Sequence, residues 1–417
     1  MLALLRRRDF GLLWTGGLVS VAGDWVLRAA LPFFVYERTG STIATAGMIA
    51  AELAPAVLLG SVAGVFVDRW DRKRVLVVSN LLEAAAVSLL LLVPHGGPLW
   101  VVYAVAAVQS SVAAFGTPAE TALLPTLVER EHLLAANALN ALNNRVGRLL
   151  GLPLGGALLG YLGLDAVVLV DCASFLGAAL LIAPIRAPRR PRAQDGDVAA
   201  AASAWASFWH EWIDGLRLVR RERTIAVLFF VFGLMTFGGT MFDPLTVAWV
   251  RDVLGGGPQV YSGLMTVHAV AGIAGSLLVA RLGRRLSPRE LMGWGSLAAA
   301  AALLVKFNVP LLPLAIALSA FGGVTSVASA VGAETVAQQS VSDEYRGRVF
   351  GSLGATLSLL SLAGAFVGGA LGEVVGTVPM LNVAAALTAL AGVVVLRALG
   401  RERGPTGSRR RAETVVE

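Results

Sequence analysis

About twelve times along this chain an apolar run of some twenty residues recurs. Roughly 20 apolar residues span the hydrocarbon core of a bilayer as a helix, and in that solvent every backbone polar group must be satisfied within the segment itself. The runs lie near 10–36, 43–66, 75–93, 99–122, 139–161, 166–185, 225–250, 259–280, 291–308, 310–332, 349–371 and 376–397. With 56% hydrophobic residues against 15% charged and a mean hydropathy of +0.73, this surplus cannot be hidden inside a water-soluble globule of 417 residues. The chain reads as an all-α, multi-pass membrane protein of twelve spans.

The net charge of +7 does not point to nucleic acid, because the arginines fall in loops between spans, where cytoplasmic loops collect positive charge. One alternate set of loops, with both termini, holds Arg6, Arg7, Arg8, Arg69, Arg72, Lys73, Arg74, Arg130, the Arg186–Arg223 cluster, Arg281, Arg284, Arg285, Arg289, Arg346, Arg348 and the arginines of the tail. The other holds Arg38, Arg251 and Lys306. Both termini are therefore expected in the cytoplasm. Arg6–Arg8 ahead of an apolar stretch has the outline of a signal peptide, but the run is too long and carries two charges, so it reads as the first span. One cysteine, Cys172, and four scattered histidines, His95, His132, His210 and His268, offer no disulfide framework and no metal site. No cofactor and no catalytic constellation are expected. The Arg, Ala and Gly bias with only two lysines suggests a GC-rich bacterial genome, hence a bacterial cytoplasmic membrane.

Residues 186–224 break the apolar pattern and part six spans from six. The expected division is a first bundle over 1–185, a cytoplasmic linker over 186–224, a second bundle over 225–397 and a basic tail over 398–417, disordered. Within the linker, Trp205, Trp209, Trp212, Leu216 and Val219 fall at helical spacing with arginines at the end, which suits a helix lying in the membrane interface. The two halves look related. GVFVDRWDRKR from Gly64 is echoed by SLLVARLGRRL from Ser276, a shift of 212, and Ala119-Glu120-Thr121 by Ala333-Glu334-Thr335, a shift of 214.

GVFVDRWDRKR, residues 64–74, resembles the loop 2–3 signature of the major facilitator superfamily, Gly-x-x-x-Asp-Arg-x-x-Arg-Lys/Arg. The resemblance implies two pseudo-symmetric six-helix bundles, with Gly64, Asp68, Arg69, Arg72 and Lys73 as a conformational latch. In the second copy Ala280 stands where the first has Asp68. GRLLGLPLGG, residues 147–156, is similar to the superfamily's antiporter signature through Gly147, Gly151, Gly155 and Gly156, with proline one place late as Pro153. Gly364, Gly368 and Gly369 echo it in span 11. Small residues let membrane helices approach backbone to backbone. RRRDFGLLW at 6–14, SVAGDWVLRAALPFFVYERTGS at 20–41, TPAETALLPTLVEREHLLAANAL at 117–139 and DEYRGRVFG at 343–351 resemble the branch around the enterobactin exporter and the macrolide efflux proteins. The third stretch also looks like the lysophospholipid transporters. Span 4 has Gln109 but lacks the arginine that many antiporters of the superfamily carry there.

Charges at membrane depth are costly and mark pathways. At about 1.5 Å per residue, Asp24 and Glu52 share a level near or slightly beyond the midplane, and Arg28 stands one turn above Asp24 on the same face. Arg28 either neutralises Asp24 or is shared with Glu52. Burial disfavours an ionised carboxylate and a guanidinium favours it, so the trio reads as a proton switch, with Asp243 as a further carrier. A static ion pair within span 1 is the competing reading. Glu120 and Glu334 are expected to pair with Arg145, Arg148, Arg346 or Arg348 across a cytoplasmic gate. Arg145 and Arg148 could instead receive an anionic headgroup. Trp25, Phe33, Phe34, Phe115, Met235, Phe237, Met241, Phe242 and His268 are candidates for an apolar substrate cavity. Together with the resemblance, these residues lead to a monomeric, proton-coupled exporter of amphiphilic small molecules, drug-like or siderophore-like. Its partners would be that substrate, protons and membrane lipids. A lysophospholipid transporter not driven by protons is the alternative.

Overall fold

In the computed structural model the chain is described over residues 2–67, 69–186, 212–213, 217, 222–283, 285–340 and 346–398. Among the described residues a one-turn helix, Leu2–Leu5, is followed by twelve long helices: α1 (Arg8–Thr39), α2 (Thr42–Val67), α3 (Arg72–Ser88), α4 (Trp100–Leu127), α5 (Leu133–Leu162), α6 (Leu164–Ile182), α7 (Arg223–Ala248), α8 (Pro258–Leu282), α9 (Pro288–Asn308), α10 (Leu312–Ser340), α11 (Arg346–Val375) and α12 (Thr377–Ala398). Among the described residues there is no strand. Several helices outrun the apolar runs by a turn or two, because hydropathy marks the hydrocarbon layer whereas a helix continues through the interface. Eleven are long and apolar enough to cross a membrane. The one left out, α5, carries Asn137, Asn140, Asn143, Asn144 and Arg145 in its first half and Arg148 at its middle. It is nonetheless packed between α1 and α8.

Short-range chemistry sets the ends. α1 stops at Gly40, whose φ of 64° is open to glycine and whose N–H donates to the carbonyl of Tyr36. α3 starts on Asp71, which accepts from the backbone N–H of Arg74 at 3.0 Å. α9 begins with a reciprocal Ser287–Glu290 capping box and Pro288.

The halves pack alike. In the first, α1 lies on α5 and α6, α3 on α4 and α6, and α2 on α4. In the second, α7 lies on α11 and α12, α9 on α10 and α12, and α8 on α10. The halves meet along α2–α11 and α5–α8. Glycines explain both kinds of contact. A Cβ at Gly155 would stand 2.9 Å from Cα of Val26 on α1, and one at Gly368 would stand 2.9 Å from Cα of Met241 on α7. One residue on, a Cβ at Gly156 would stand 2.7 Å from the carbonyl oxygen of Pro258 on α8, and one at Gly369 would stand 2.7 Å from that of Thr42 on α2. Gly147 and Gly151 continue the contact along Val21, Ala22 and Trp25, as Gly364 does along Phe237 and Thr240. The glycine signature is thus one ridge with two faces, one holding its own half together and the other touching its partner half. It recurs at a shift of 213 residues. Pro153 lies inside α5, exposed, and the helix continues through it.

The expected interfacial helix and the basic tail lie outside the described residues, apart from Trp212, Ile213 and Arg217. Trp212 donates its indole N–H to Thr356 Oγ1 of α11 at 3.0 Å.

Candidate functional site

The helices define two faces, one carrying the chain termini and one far from them. The described hydrogen bonds and ion pairs between the halves gather at the far face. The Tyr36 hydroxyl donates to Asp252, and Thr42 Oγ1 donates to the carbonyl of Gly369 at 2.6 Å. Arg251 stands 3.7 Å from Glu37. Glu373 accepts from Ser41 Oγ at 2.7 Å and from the backbone N–H of Ile43 at 3.3 Å. Its carboxylate therefore sits on the positive N-terminal end of α2 from across the interface. On the terminal side of mid-depth the halves part around a cleft of about 480 Å³. Arg145, Arg148 and Leu149 form one wall, and His268, Ser326 and Glu334 belong to the other.

At mid-depth Arg28 pairs with Glu52, Nη2 to Oε1 at 2.6 Å. The pair joins α1 to α2. Asp24, one turn below, makes no hydrogen bond or ion pair among the described residues. Neither arrangement open from the sequence is made in full: there is no pair within α1, and Arg28 is not shared between Asp24 and Glu52 but bonds to Glu52 alone. Asp243 is exposed and is a charge neighbour of Glu52, as is Tyr261 of both.

Two acids that the sequence reading passes over complete this region. Glu83 of α3 is 9% exposed and Asp171 of α6 is fully buried. Each feels the charge of Asp24. Asp171 fits because position 23 is glycine: a Cβ there would fall against Ser174 and Asp171. Oδ2 of Asp171 and Oδ1 of Asn80 are buried without a hydrogen-bond partner. Two small cavities, about 120 and 80 Å³, both reach Asp24 and Glu83. One extends toward Glu120 and the other toward Arg28, Glu52 and Gln109. The acids Glu120, Glu83, Asp24 and Glu52 therefore stand in a connected interior of the first half. The signal was available, since each of the two overlooked acids is a lone carboxylate in an apolar run.

Several expectations are corrected. Glu120 is not at a gate between the halves; it faces inward, with Asn143 and Gly17 nearby. Glu334 does line the cleft beside Arg145 and Arg148, and it accepts from Gln338 at 3.4 Å. Lys306 is not a loop charge: it is 9% exposed in the last turn of α9, over the rings of Trp249 and Phe307 at 5.8 and 5.3 Å. Phe33 and Met241, expected in a cavity, are each 1% exposed and form core. Phe33 packs on Tyr261. Phe242 stacks on Phe307 at 5.8 Å, and Phe115 stacks on Trp70 at 5.9 Å in a lateral groove near the terminal face. Met235 and His268 line a pocket of about 230 Å³ in the second half that also contains Lys306. Trp25 lies beside the cleft between two guanidiniums.

Of the loop signature, Asp68 lies outside the described residues, as do the side chains of Arg346 and Arg348. Arg72 donates to the carbonyl of Ala122 at 2.7 Å and Lys73 to that of Ala183 at 3.1 Å, so both tie α3 to neighbours in its own half. Gly64 meets nothing within 4 Å of where a Cβ would stand, so no close helix approach depends on it in this conformation. Between α4 and α5, Glu129, Glu131 and His132 bring ligand-type atoms within 4.8 Å of one another. The cluster is largely solvated, and Arg7 pairs with Glu129 at 3.0 Å and holds its carboxyl below the usual range.

A family model described as transmembrane secretion effector matches residues 1–405. Macrolide efflux protein A of Streptococcus pyogenes is 26% identical over 359 residues, covering 84% of this chain and 86% of that protein. The MFS-type transporter YvqJ of Bacillus subtilis is 26% identical over 400 residues, covering 94% of this chain and 92% of its own. Among solved structures, a bacterial homologue of the iron transporter ferroportin in an inward-facing state superposes with a TM-score of 0.72 at 18% identity, over 94% of this chain and 99% of that one. The nucleoside transporter NupG superposes at 0.75 with 11% identity, over 94% and 100%. These two show the fold.

Proposed function

Because the chain belongs to the transmembrane secretion effector family of the major facilitator superfamily, a family of transporters and not of enzymes, we propose that it exports amphiphilic small molecules, drug-like or siderophore-like, in exchange for protons. The macrolide efflux proteins among its relatives support an exporter. The crowding of basic residues on the terminal face supports termini in the cytoplasm of a bacterium. On that orientation the conformation described here is inward-facing, closed by the Tyr36, Thr42 and Glu373 contacts and open at the Arg148 cleft.

The observation that carries the reading is the unequal treatment of two carboxylates around one guanidinium: Glu52 holds Arg28 and Asp24 does not. An ionised carboxylate without a partner is costly at membrane depth. Asp24 therefore holds a proton in this state while Glu52 is ionised. Releasing that proton to the cytoplasm leaves a negative Asp24 that draws Arg28 one turn down. Glu52, stripped of its partner and facing Asp243, then takes up a proton when the far face opens, and on the return passes it through the shared cavity to Asp24 as Arg28 swings back. Each cycle carries a proton inward and one conformational change with it. Gly64, Asp68, Arg69, Arg72 and Lys73 act at the terminal-face gate that closes in the other state.

The test uses proteoliposomes with an imposed pH gradient and a panel of fluorescent amphiphiles of both charge signs, a Hoechst dye and an anilinonaphthalene sulfonate, with a fluorescent lysophospholipid in parallel. Gradient-driven dye movement that disappears in Asp24→Asn, with the protein still folded and inserted, is expected. An Asp24→Asn protein that drives dye uphill with an unchanged pH profile would refute the proton switch. Lipid movement alone, insensitive to the gradient, would refute the exporter.

A further inference from the structure

The walls of the cleft carry more positive charge than the proton reading uses. Arg148 of α5 and Arg28 of α1 both lie over the ring of Trp25, Cζ to ring centre 4.8 and 5.3 Å. The two like charges are thus no more than about 10 Å apart. Arg28 has Glu52. Arg148 has no acid: among the described residues it makes no ion pair and no hydrogen bond, and its Nε is buried without a partner. Across the cleft stands His268, a charge neighbour of Arg148 and of Lys306. Lys306 likewise makes no hydrogen bond or ion pair among the described residues. The acid lining the same cleft, Glu334, is exposed at its terminal end. An aromatic ring eases one such cation by cation–π attraction. It does not cancel repulsion between two cations or satisfy a buried N–H.

We propose that the anionic group, a carboxylate or phosphate monoester, of the exported amphiphile binds where Arg148, which lines this cleft, and Arg28, which lines the neighbouring cavity of about 80 Å³, meet over Trp25. Guanidiniums suit such oxyanions because their N–H groups form parallel, charge-assisted hydrogen bonds. Leu149, Ala269, Ile273 and Val327 on the same walls offer apolar surface for the rest of the ligand. The inference rests on the exporter reading for its direction of transport, but the binding itself does not. The anion and Glu52 compete for the Arg28 guanidinium.

The experiment is equilibrium binding in phosphatidylcholine nanodiscs with no pH gradient. The probe is a dansylated fatty acid, read by energy transfer from tryptophan and corrected for empty discs, with octyl phosphate, octyltrimethylammonium, octanol and inorganic phosphate as competitors. Octyl phosphate is expected to displace the probe, the cationic and neutral chains not, and inorganic phosphate only weakly. Arg148→Gln should weaken octyl phosphate roughly tenfold or more, with Arg148→Lys recovering part of the loss. Glu52→Gln should strengthen binding, which a merely structural role for these residues would not produce. Equal displacement by the cationic chain, or unchanged affinity in Arg148→Gln with the protein folded, would overturn the proposal. Inorganic phosphate matching octyl phosphate would overturn the amphiphile, leaving a bare anion site. Because no gradient is used, loss of anion binding leaves proton-driven dye efflux as a separate result.

Discussion

Adjacent glycines with different partners allow fold stability and conformational balance to be separated. Gly155 and Gly368 press on helices of their own half, whereas Gly156 and Gly369 press across the interface that closes the far face. A methyl group at Gly156 must displace Ser262 or the carbonyl of Pro258, and overpacking of this kind typically costs about 1–3 kcal/mol. At Gly156 the cost falls on the closed far face alone, because α5 and α8 separate there when it opens. Gly156→Ala is therefore expected to shift the balance toward the far-open state by roughly 5- to 150-fold, with little change in melting temperature. Gly369→Ala should act in the same direction through Thr42 and Ala46. Gly155→Ala and Gly368→Ala should lower the melting temperature and leave the balance nearly unchanged, since both conformations keep α1 on α5 and α7 on α11. The assay is the distance distribution between spin labels at Leu162→Cys and Leu311→Cys in a Cys172→Ala background, two exposed positions on the far face in different halves. If all four alanine variants broadened that distribution alike, or Gly156→Ala left it unchanged while destabilising the protein, the division into internal and cross-half faces would be refuted.

Gly23→Ala should destabilise by about 1–3 kcal/mol, because its methyl meets Ser174 and Asp171, and Ser174→Ala should restore part of the melting temperature in the double variant. Glu373→Ala removes the carboxylate at the start of α2 and two cross-half hydrogen bonds. The same spin labels should report a far-open shift of roughly tenfold. Glu129 is held below its usual range by Arg7, so the stability it contributes is present above the unfolded carboxyl's range and lost as pH falls through the folded one. Arg7→Gln should thus lower the melting temperature at neutral pH and make no difference in strong acid.

Span number, halves and repeat were legible because each rests on many residues at once. Twelve apolar runs survive any single misreading, and a common shift near 213 survives the change from Asp68 to Ala280. The Arg28–Glu52 contact was legible as part of one of two options, since depth along a helix follows from residue count. Which face a side chain takes did not. Phe33 and Met241 share the composition of cavity residues, yet helix rotation turns them into core. Lys306 lies two residues from the end of its run and was counted with the loops, although the last turn of α9 places it over the ring of Trp249. Arg148 was named from the sequence as a gate partner or a receiver of an anionic headgroup, but its contact with Trp25 was not, because it depends on Gly147 and Gly151 bringing α5 close to α1.

The duplicated frame and the undivided charge fit together once equivalent positions are compared. Shifted by 213, Asp24, Arg28, Glu52, Glu83 and Asp171 fall on Phe237, Met241, Met265, Ser296 and Ala384, and a residue either way brings no acid. Gly23 packs on the side chain of Asp171 in one half; in the other, Gly238, at a shift of 215, packs on the backbone of Ala384. Symmetry thus supplies two rigid bodies that can rock about matched glycine faces, while the ionisable groups at mid-depth are concentrated in one of them. The second half contributes a pocket of its own, lined by Met235, His268 and Lys306. In the reading proposed above, the two chemistries meet at Arg28. It is the residue that Glu52 holds in this state, that Asp24 claims on losing its proton, and that a bound anion competes for.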